Sequence, residues 1–173
     1  MNGFVLVTSN ENKALEVERI LGIRPPIAAL DLPEIQEMDI RAIVEEKARD
    51  AYRHLGRPVV VEEVGFYLDA LGGFPGPLVK WMLQTVGAAG IARTALALDE
   101  PNAVARCLLA HYDGDRLTVA SGEAPGILIA EARGGQGFGW DPYFVAEGGD
   151  RTYAELDGAE KDRIGHRGRA WRD

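Results

Sequence analysis

Six consecutive polar residues near the N-terminus, Thr8-Ser9-Asn10-Glu11-Asn12-Lys13, carry side chains suited to binding an anion. They follow a short apolar run and precede an amphipathic stretch, so the pattern predicts a turn from a strand into a helix. The first turn of a helix presents unpaired amides and the positive end of the macrodipole, which favour a phosphate. Thr8, Asn10 and Lys13 would add donors. Thr8 or Asn10 could instead serve only as a helix cap.

Acidic residues form a second group. Glu62 and Glu63 directly follow an all-valine run, residues 59–61, and Glu34 follows a loop. If these regions converge, several carboxylates face one hard cation such as Mg²⁺, which takes oxygen ligands and is commonly shared with substrate phosphates. Taken singly, most glutamates are solvated surface charges. Two of them at the end of a buried-type strand favour a role in metal binding or water activation.

A glycine-rich segment, residues 134–142, contains Phe138, Trp140 and Asp141. Its glycines allow a flat ligand to approach the backbone, its aromatic rings can stack on a nucleobase, and Asp141 can accept hydrogen bonds. The spacing alone favours a simpler interpretation, in which a tight turn places the aromatic side chains in the core.

A basic cluster near the C-terminus contrasts with the acidic remainder of the chain. Its clustered donors indicate that an anion or a carbonyl-rich base is bound there. Arg169 and Arg172 are also explained by a favourable interaction with the end of a helix. For His54 and His111 we expect packing or a hydrogen bond rather than a functional role. The cluster consists of Lys161, Arg163, His166, Arg167, Arg169 and Arg172.

Composition limits the classes of function. The 173 residues are 46% hydrophobic, enough for the core of one domain, and the formal charge of −8 argues against binding to nucleic acid or an anionic membrane. An anionic substrate must therefore meet local cations or a metal. The single cysteine, Cys107, favours a reducing, cytoplasmic location, and the sequence predicts neither a membrane span nor an export signal.

The apolar pattern predicts the elements that position these groups. The first half reads as an α/β unit, with helices over residues 12–21 and 40–55, an extended piece at 27–30 and a buried strand at 59–61. Open α/β sheets bind ligands at the carboxyl ends of their strands, where Glu62 and Glu63 would lie.

The second half reads as helices followed by strands. Helices are predicted over residues 78–86 and 91–98, separated by a break at 87–90. We also expect a hairpin of strands 103–112 and 117–122 and a neighbouring strand at 127–130. The last predicted element is a polar C-terminal helix over residues 159–171.

Taken together, the motifs resemble those of the inosine triphosphate pyrophosphatase family over nearly the whole chain. The segments that carry the resemblance are Thr8-Ser9-Asn10 with Lys13, Asp31-Leu32-Pro33-Glu34, Val61-Glu62-Glu63-Val64-Gly65, residues 70–77 with Lys80-Trp81, Phe138-Gly139-Trp140-Asp141-Pro142, and residues 152–156 with Glu160-Lys161 and His166-Arg167. The resemblance implies one α/β domain, residues 1–173, with an elongated mixed β-sheet flanked by helices and a nucleotide cleft between two lobes. It also implies a homodimer and Mg²⁺-dependent hydrolysis of ITP, dITP and XTP to the monophosphate and pyrophosphate.

The same resemblance assigns roles to individual residues. Glu63 and Lys13 would be catalytic, and Glu34 and Glu63 would hold the metal. The triphosphate side would include Thr8, Ser9, Asn10, Lys13, Val64 and Lys80. The base side would include Phe138, Gly139, Trp140, Asp141, Lys161, His166 and Arg167.

Two positions of the catalytic strand differ from the family pattern. Glu63 stands where an aspartate is usual, and Val64 stands where serine or threonine is usual. Two alternatives therefore accompany the pyrophosphatase hypothesis. One is a catalytically weak nucleotide-binding protein of the same fold, and the other is a hydrolase of that fold with a shifted nucleotide substrate.

Overall fold

Helices and strands alternate in the first half of the chain, and strands dominate the second. The computed structural model describes residues 3–173. Its elements are β1 (Val5–Val7), α1 (Glu11–Leu21), β2 (Ile27–Ala28), α2 (Ile40–Leu55), β3 (Val59–Leu68), β4 (Pro75–Gly76), α3 (Val79–Ala97), β5 (Asn102–Tyr112), β6 (Leu117–Leu128), β7 (Phe144–Ala146), α4 (Gly158–Ile164) and α5 (His166–Ala170).

The seven strands form one mixed sheet in the order β2-β1-β3-β5-β6-β7, with β4 paired to β3. The β2-β1-β3 pairs are parallel and the remaining pairs are antiparallel. Helix α2 packs on β3 and β5, whereas α5 packs on β5 and β6. The sequence-based expectation of a mixed sheet flanked by helices is therefore confirmed.

Strand β3 determines where the sheet opens. One of its edges pairs with β1 only as far as Val61 and with β4 only from Phe66, while β5 covers the other edge throughout. Among the described residues, the stretch 62–65 thus has no strand partner on the first edge. The predicted strand end at Val61 is wrong, because the antiparallel pairing with β5 carries β3 on to Leu68. Glu62 and Glu63 lie inside the strand, beside the gap in the sheet.

The two largest apolar cores lie along the same strands, and we call the parts of the fold around them the two lobes. One core, beneath α2, includes Val44, Val61 and Ala110, and the other includes Phe66 and Ala105. Strands β3 and β5 therefore contribute to both lobes.

The predicted boundaries of the first two helices are correct to within one residue. Gly22 and Gly56 end them in the left-handed conformation, with φ of 70° and 61°. The predicted break in the next helical region is narrower than 87–90, because only Gly87 departs from helical geometry within α3.

Two further boundaries differ from the sequence prediction. Residues 117–122 and 127–130 were expected in separate strands, but β6 is continuous because its pairing with β5 extends through Pro125 and Gly126. The C-terminal helix is divided at Gly165, whose amide donates to the Lys161 carbonyl at 2.7 Å and whose own backbone is extended. No helix within residues 3–173 has the length and apolar content needed to cross a bilayer.

Candidate active site

A cleft of about 630 Å³ opens at the gap between β1 and β4. All four lysines of the chain and Arg167 line it, together with five carboxylates, so the lining is formally neutral in a protein with a formal charge of −8. The structure also brings every predicted site residue to this cleft. These residues are Thr8, Ser9, Asn10, Lys13, Glu34, Glu63, Val64, Lys80, Phe138, Gly139, Trp140, Asp141, Lys161, His166 and Arg167.

The polar turn after β1 begins α1, as predicted. The Asn10 side-chain oxygen accepts from the amides of Asn12 at 3.0 Å and Lys13 at 3.3 Å, so Asn10 is the helix cap. The Thr8 hydroxyl oxygen accepts from the Asn10 amide at 3.1 Å. The Thr8 hydroxyl proton and the side-chain NH₂ group of Asn10 can still donate to a ligand. Capping and anion binding are therefore compatible here.

Glu62 and Glu63 point to opposite faces of the sheet, because successive side chains alternate along a strand. On one face, Glu62 accepts two hydrogen bonds from Arg167, each 2.9 Å long, and lies 3.2 Å from the Lys13 ammonium. Burial alone would raise the pKa of Glu62, but Arg167 and Lys13 together hold it well below its usual range. Glu62 is therefore ionised and fixes both cations.

The ion pairs continue from Arg167 towards the aromatic segment. Arg167 also donates to Glu16, and Glu16 accepts from Lys161 at 2.8 Å. Lys161 in turn donates to Asp141 at 2.6 Å. The result is a buried chain of alternating charge, which we call the ion-pair chain: Asp141, Lys161, Glu16, Arg167, Glu62 and Lys13.

Burial and charge act against each other within the ion-pair chain. Burial tends to raise the pKa of Glu16, but Arg167 and Lys161 outweigh it and the pKa is lowered. For Asp141, burial dominates over Lys161 and raises the pKa. Arg167 has a pKa raised well above its usual value, because Glu62 and Glu16 outweigh its burial.

The aromatic segment, residues 138–141, is held in place by the ion-pair chain. Asp141 Oδ2, the same oxygen that accepts from Lys161, also accepts from the Phe138 backbone amide at 2.8 Å. Gly139 adopts a left-handed φ of 63° and turns the backbone between the two aromatic residues. The Lys161 ammonium lies 4.9 Å from the Phe138 ring centre. Trp140 is only 8% exposed and stacks on Phe66 at 4.6 Å, so it fills the core as well as lining the cleft.

His166 is buried beside this segment. Its ring stacks on Tyr153, with the ring centres 6.2 Å apart, and Nδ1 has no hydrogen-bond partner among the described residues. Burial, with Arg167 and Lys161 nearby, lowers the pKa of His166 well below its usual value. The imidazole is therefore neutral, and a ligand could supply the missing hydrogen bond.

On the other face of β3, Glu63 and Glu34 converge on one residue that the sequence prediction did not include. The Lys47 ammonium contacts Glu63 and lies 3.3 Å from Glu34, while Lys80 lies 3.8 Å from Glu34. Burial would lower the pKa of Lys47, but Glu63 and Glu34 raise it. Burial would raise the pKa of Glu34, but Lys47 and Lys80 lower it.

The sequence did contain a signal for Lys47. In α2 it lies three residues after Val44 and four before Ala51, on the stripe that faces the core. A charged residue on a buried stripe requires a partner. Glu16 offers the same signal in α1, where it is buried between Ala14 and Val17.

The two carboxylates around Lys47 could supply part of a Mg²⁺ coordination shell, and water or phosphate oxygens would have to complete it. No group of three or more His, Cys, Asp or Glu side chains within residues 3–173 is arranged to hold a metal. However, Glu34 and Glu63 already hold one cationic atom between them, and Mg²⁺ usually completes its coordination with water and phosphate oxygens. Val64 lines the cleft but contributes no donor.

Comparison with known proteins gives a consistent result over the whole chain. The sequence profile of the Ham1 family matches residues 4–173. An inosine triphosphate pyrophosphatase of Aspergillus oryzae is 39% identical over 98% of this chain and 90% of its own length. A dITP/XTP pyrophosphatase of Hyperthermus butylicus is 33% identical with the same coverage. The structure of a HAM1 protein from Coxiella burnetii superposes with a TM-score of 0.81 at 26% identity, covering 99% of this chain and 95% of the other.

Proposed function

The chain belongs to the Ham1 family, and we propose that it is a pyrophosphatase that converts ITP, dITP and XTP to the monophosphate and pyrophosphate. The observation that carries this proposal is the presence of two chemically different ends in one cleft. One end combines Lys13, Lys47 and Lys80 with the Glu34 and Glu63 carboxylates, and the other combines aromatic rings with the part of the ion-pair chain that runs from Asp141 to Glu62.

At the lysine-rich end, Lys13 and Lys80 would bind the triphosphate together with the polar turn after β1. Water would attack the α-phosphorus, and the bond to the bridging oxygen would break to release pyrophosphate. The lysines would stabilise the charge that develops on the phosphoryl and leaving oxygens. Glu63 would accept the proton from the attacking water.

We assign Mg²⁺ binding to Glu34 and Glu63, since both present oxygen ligands at this end of the cleft. When bound, the ion would polarise the phosphate oxygens and neutralise part of their charge. Glu63 would thus both hold the metal and accept the proton from the attacking water.

At the aromatic end, Phe138 would stack on the purine, and Lys161 and His166 would supply donors to its edge. A 6-oxo purine presents an acceptor to such donors. The exocyclic amine of adenine would leave them unpaired, which strongly penalises binding in a buried site. This difference would favour deaminated purines over ATP.

A second candidate is a catalytically weak nucleotide-binding protein. The observation that favours it is the contact between Glu63 and Lys47, which engages the carboxylate needed for water activation. Val64 also offers no hydroxyl group. A shifted nucleotide substrate on the same fold is the remaining alternative, and turnover limited to an unexpected base would support it.

We also propose that the protein is a homodimer in a cytoplasmic, reducing location. Apolar side chains are exposed in the loop before α2, directly before β4 and at the start of α3, including Ile35, Met38, Phe74 and Trp81. Such exposure supports an interface with a second copy. Cys107 is a buried free thiol, which is consistent with reducing conditions. Light scattering of the purified protein tests the dimer.

The decisive experiment measures pyrophosphate release from ITP, XTP, dITP, ATP and GTP, with Mg²⁺ and with a chelator. We expect Mg²⁺-dependent release that strongly favours ITP, dITP and XTP. Nucleotide binding without release from any substrate would support the binding protein instead.

A further inference from the structure

Lys47 occupies the point at which the two proposed metal ligands meet. It projects from the buried stripe of α2, its side chain is 17% exposed, and one nitrogen atom contacts both Glu34 and Glu63. The two carboxylates approach from different parts of the chain, the loop before α2 and strand β3. In this structure the ammonium therefore supplies the positive charge that keeps them together.

An ammonium and a divalent ion cannot share these oxygen atoms freely. Mg²⁺ requires short contacts to the oxygens, and a lysine ammonium in contact with the same oxygens would lie within a few ångströms of the metal. At that separation two positive charges repel each other strongly, even with partial screening by water. One cation must move away when the other binds.

We propose that Lys47 is a resident counter-ion, which holds Glu34 and Glu63 together before the metal arrives and which the metal must displace from them. This inference rests on the proposed metal site. Its consequence is that the protein exchanges one cation for another at this point, so the carboxylate pair always has a neutralising partner. The displaced ammonium then lies in a cleft that already contains Lys13 and Lys80.

Metal affinity tests the exchange directly. We would titrate Mn²⁺, followed by electron paramagnetic resonance of the free ion, into the wild type and Lys47→Met without nucleotide. Because Lys47→Met removes the competing charge, we expect it to bind Mn²⁺ about tenfold more tightly. Equal or weaker binding would overturn the proposal, because Lys47 would then merely support the site.

Two matched variants separate competition from general loss of positive charge. Lys47→Arg retains a cation at the same position, so its affinity should remain within about threefold of wild type. Lys80→Met removes an exposed lysine that faces Glu34 but not Glu63, and should also change the affinity by less than about threefold. Tight binding by Lys80→Met as well would overturn the proposal.

A measurement on the wild type covers the case in which Lys47→Met does not fold. The chain has four lysines, so the side-chain signals of isotopically labelled lysine can be assigned by single substitutions. Added Mg²⁺ should shift the Lys47 Cε and Nζ signals more than those of Lys161. An unchanged Lys47 signal under conditions in which the metal is bound would overturn the proposal.

The failure of this inference is distinguishable from failure of the proposed function. Mg²⁺-dependent pyrophosphate release with an undisturbed Lys47 would refute only the exchange. A protein that neither binds Mn²⁺ nor releases pyrophosphate would refute the metal site and the exchange together.

Discussion

The two ends of the cleft arrange their charges in different ways. At the aromatic end, Arg167 is only 3% exposed and bridges Glu62 and Glu16. At the lysine-rich end, the side chains of Lys80 and Glu34 are 58% and 41% exposed and lie 3.8 Å apart. The aromatic end is thus fixed by internal ion pairs, whereas the lysine-rich end keeps charges that can change partners.

This difference matches the roles that we propose for the two ends. Recognition of a base requires donors and acceptors at fixed positions, which a buried network provides at a considerable cost in desolvation. Binding and release of a polyphosphate requires cations that can leave one partner for another. Exposed ion pairs suit this role because each is weak in water.

Glu63→Gln provides the strongest test of the lysine-rich end. It removes the proposed base and one metal ligand, so we expect kcat to fall by about 10²- to 10⁴-fold. Binding of the base should remain close to wild type, because the ion-pair chain is on the opposite face of the sheet. Steady-state pyrophosphate release measures the first effect, with the surface variant Glu18→Gln as the control. Unchanged turnover would disprove the role of Glu63.

Arg167→Met tests the rigidity of the aromatic end. Because it leaves two buried carboxylates with one cation each, the free energy of unfolding should fall by about 3–5 kcal/mol. Urea denaturation measures the change. Arg24→Met is the matched control, since Arg24 also bridges two glutamates, Glu11 and Glu18, but on the surface. We expect no measurable change in the free energy of unfolding for Arg24→Met. A similar loss in both variants would show that the buried ion pairs do not make the aromatic end more rigid than the lysine-rich end.

The stability of the aromatic end should also depend on pH through His166. Its pKa is lowered in the folded protein, so the unfolded chain binds a proton that the folded chain does not. The stabilisation is complete above about pH 6.5 and decreases as the pH falls, by about 1.4 kcal/mol between pH 7.5 and pH 5.5. Denaturation at a series of pH values measures this slope. His166→Gln should reduce this slope; a slope equal to that of the wild type would rule out His166 as the source.

Lys80→Met should give the smallest effect. Loss of one exposed cation should raise KM for the triphosphate about two- to fivefold and leave kcat nearly unchanged. The difference from wild type should diminish at high salt, which screens exposed charges. A large loss of stability would show that Lys80 is structural, and would remove the distinction from Arg167.

Local sequence signals predicted the parts of the fold that depend on local physics. The apolar spacing of α1 and α2 and the glycines that follow them were sufficient to place both helices. At Pro125 and Gly126 the local signal was misleading. Proline and glycine usually end a strand, but here pairing with β5 keeps both residues within β6. In that case a long-range contact overrides the local preference.

The motif residues were likewise easier to predict than their partners. Short motifs identified Glu63 and Arg167, and both line the cleft. The partners of Arg167 are 105 and 151 residues away in the chain, at Glu62 and Glu16, and no local spacing encodes such pairings. Lys47 was missed for the same reason, although its place on a buried stripe could have revealed it.

The strands shared by the two lobes also have a consequence for unfolding. Strands β3 and β5 each contribute buried side chains to both apolar cores, and no linker separates those contributions within either strand. The two cores therefore depend on the same hydrogen-bonded strands, and loss of one core would disrupt strands that the other core also needs. We expect the lobes to melt in one calorimetric transition, and neither to fold when produced as a separate fragment.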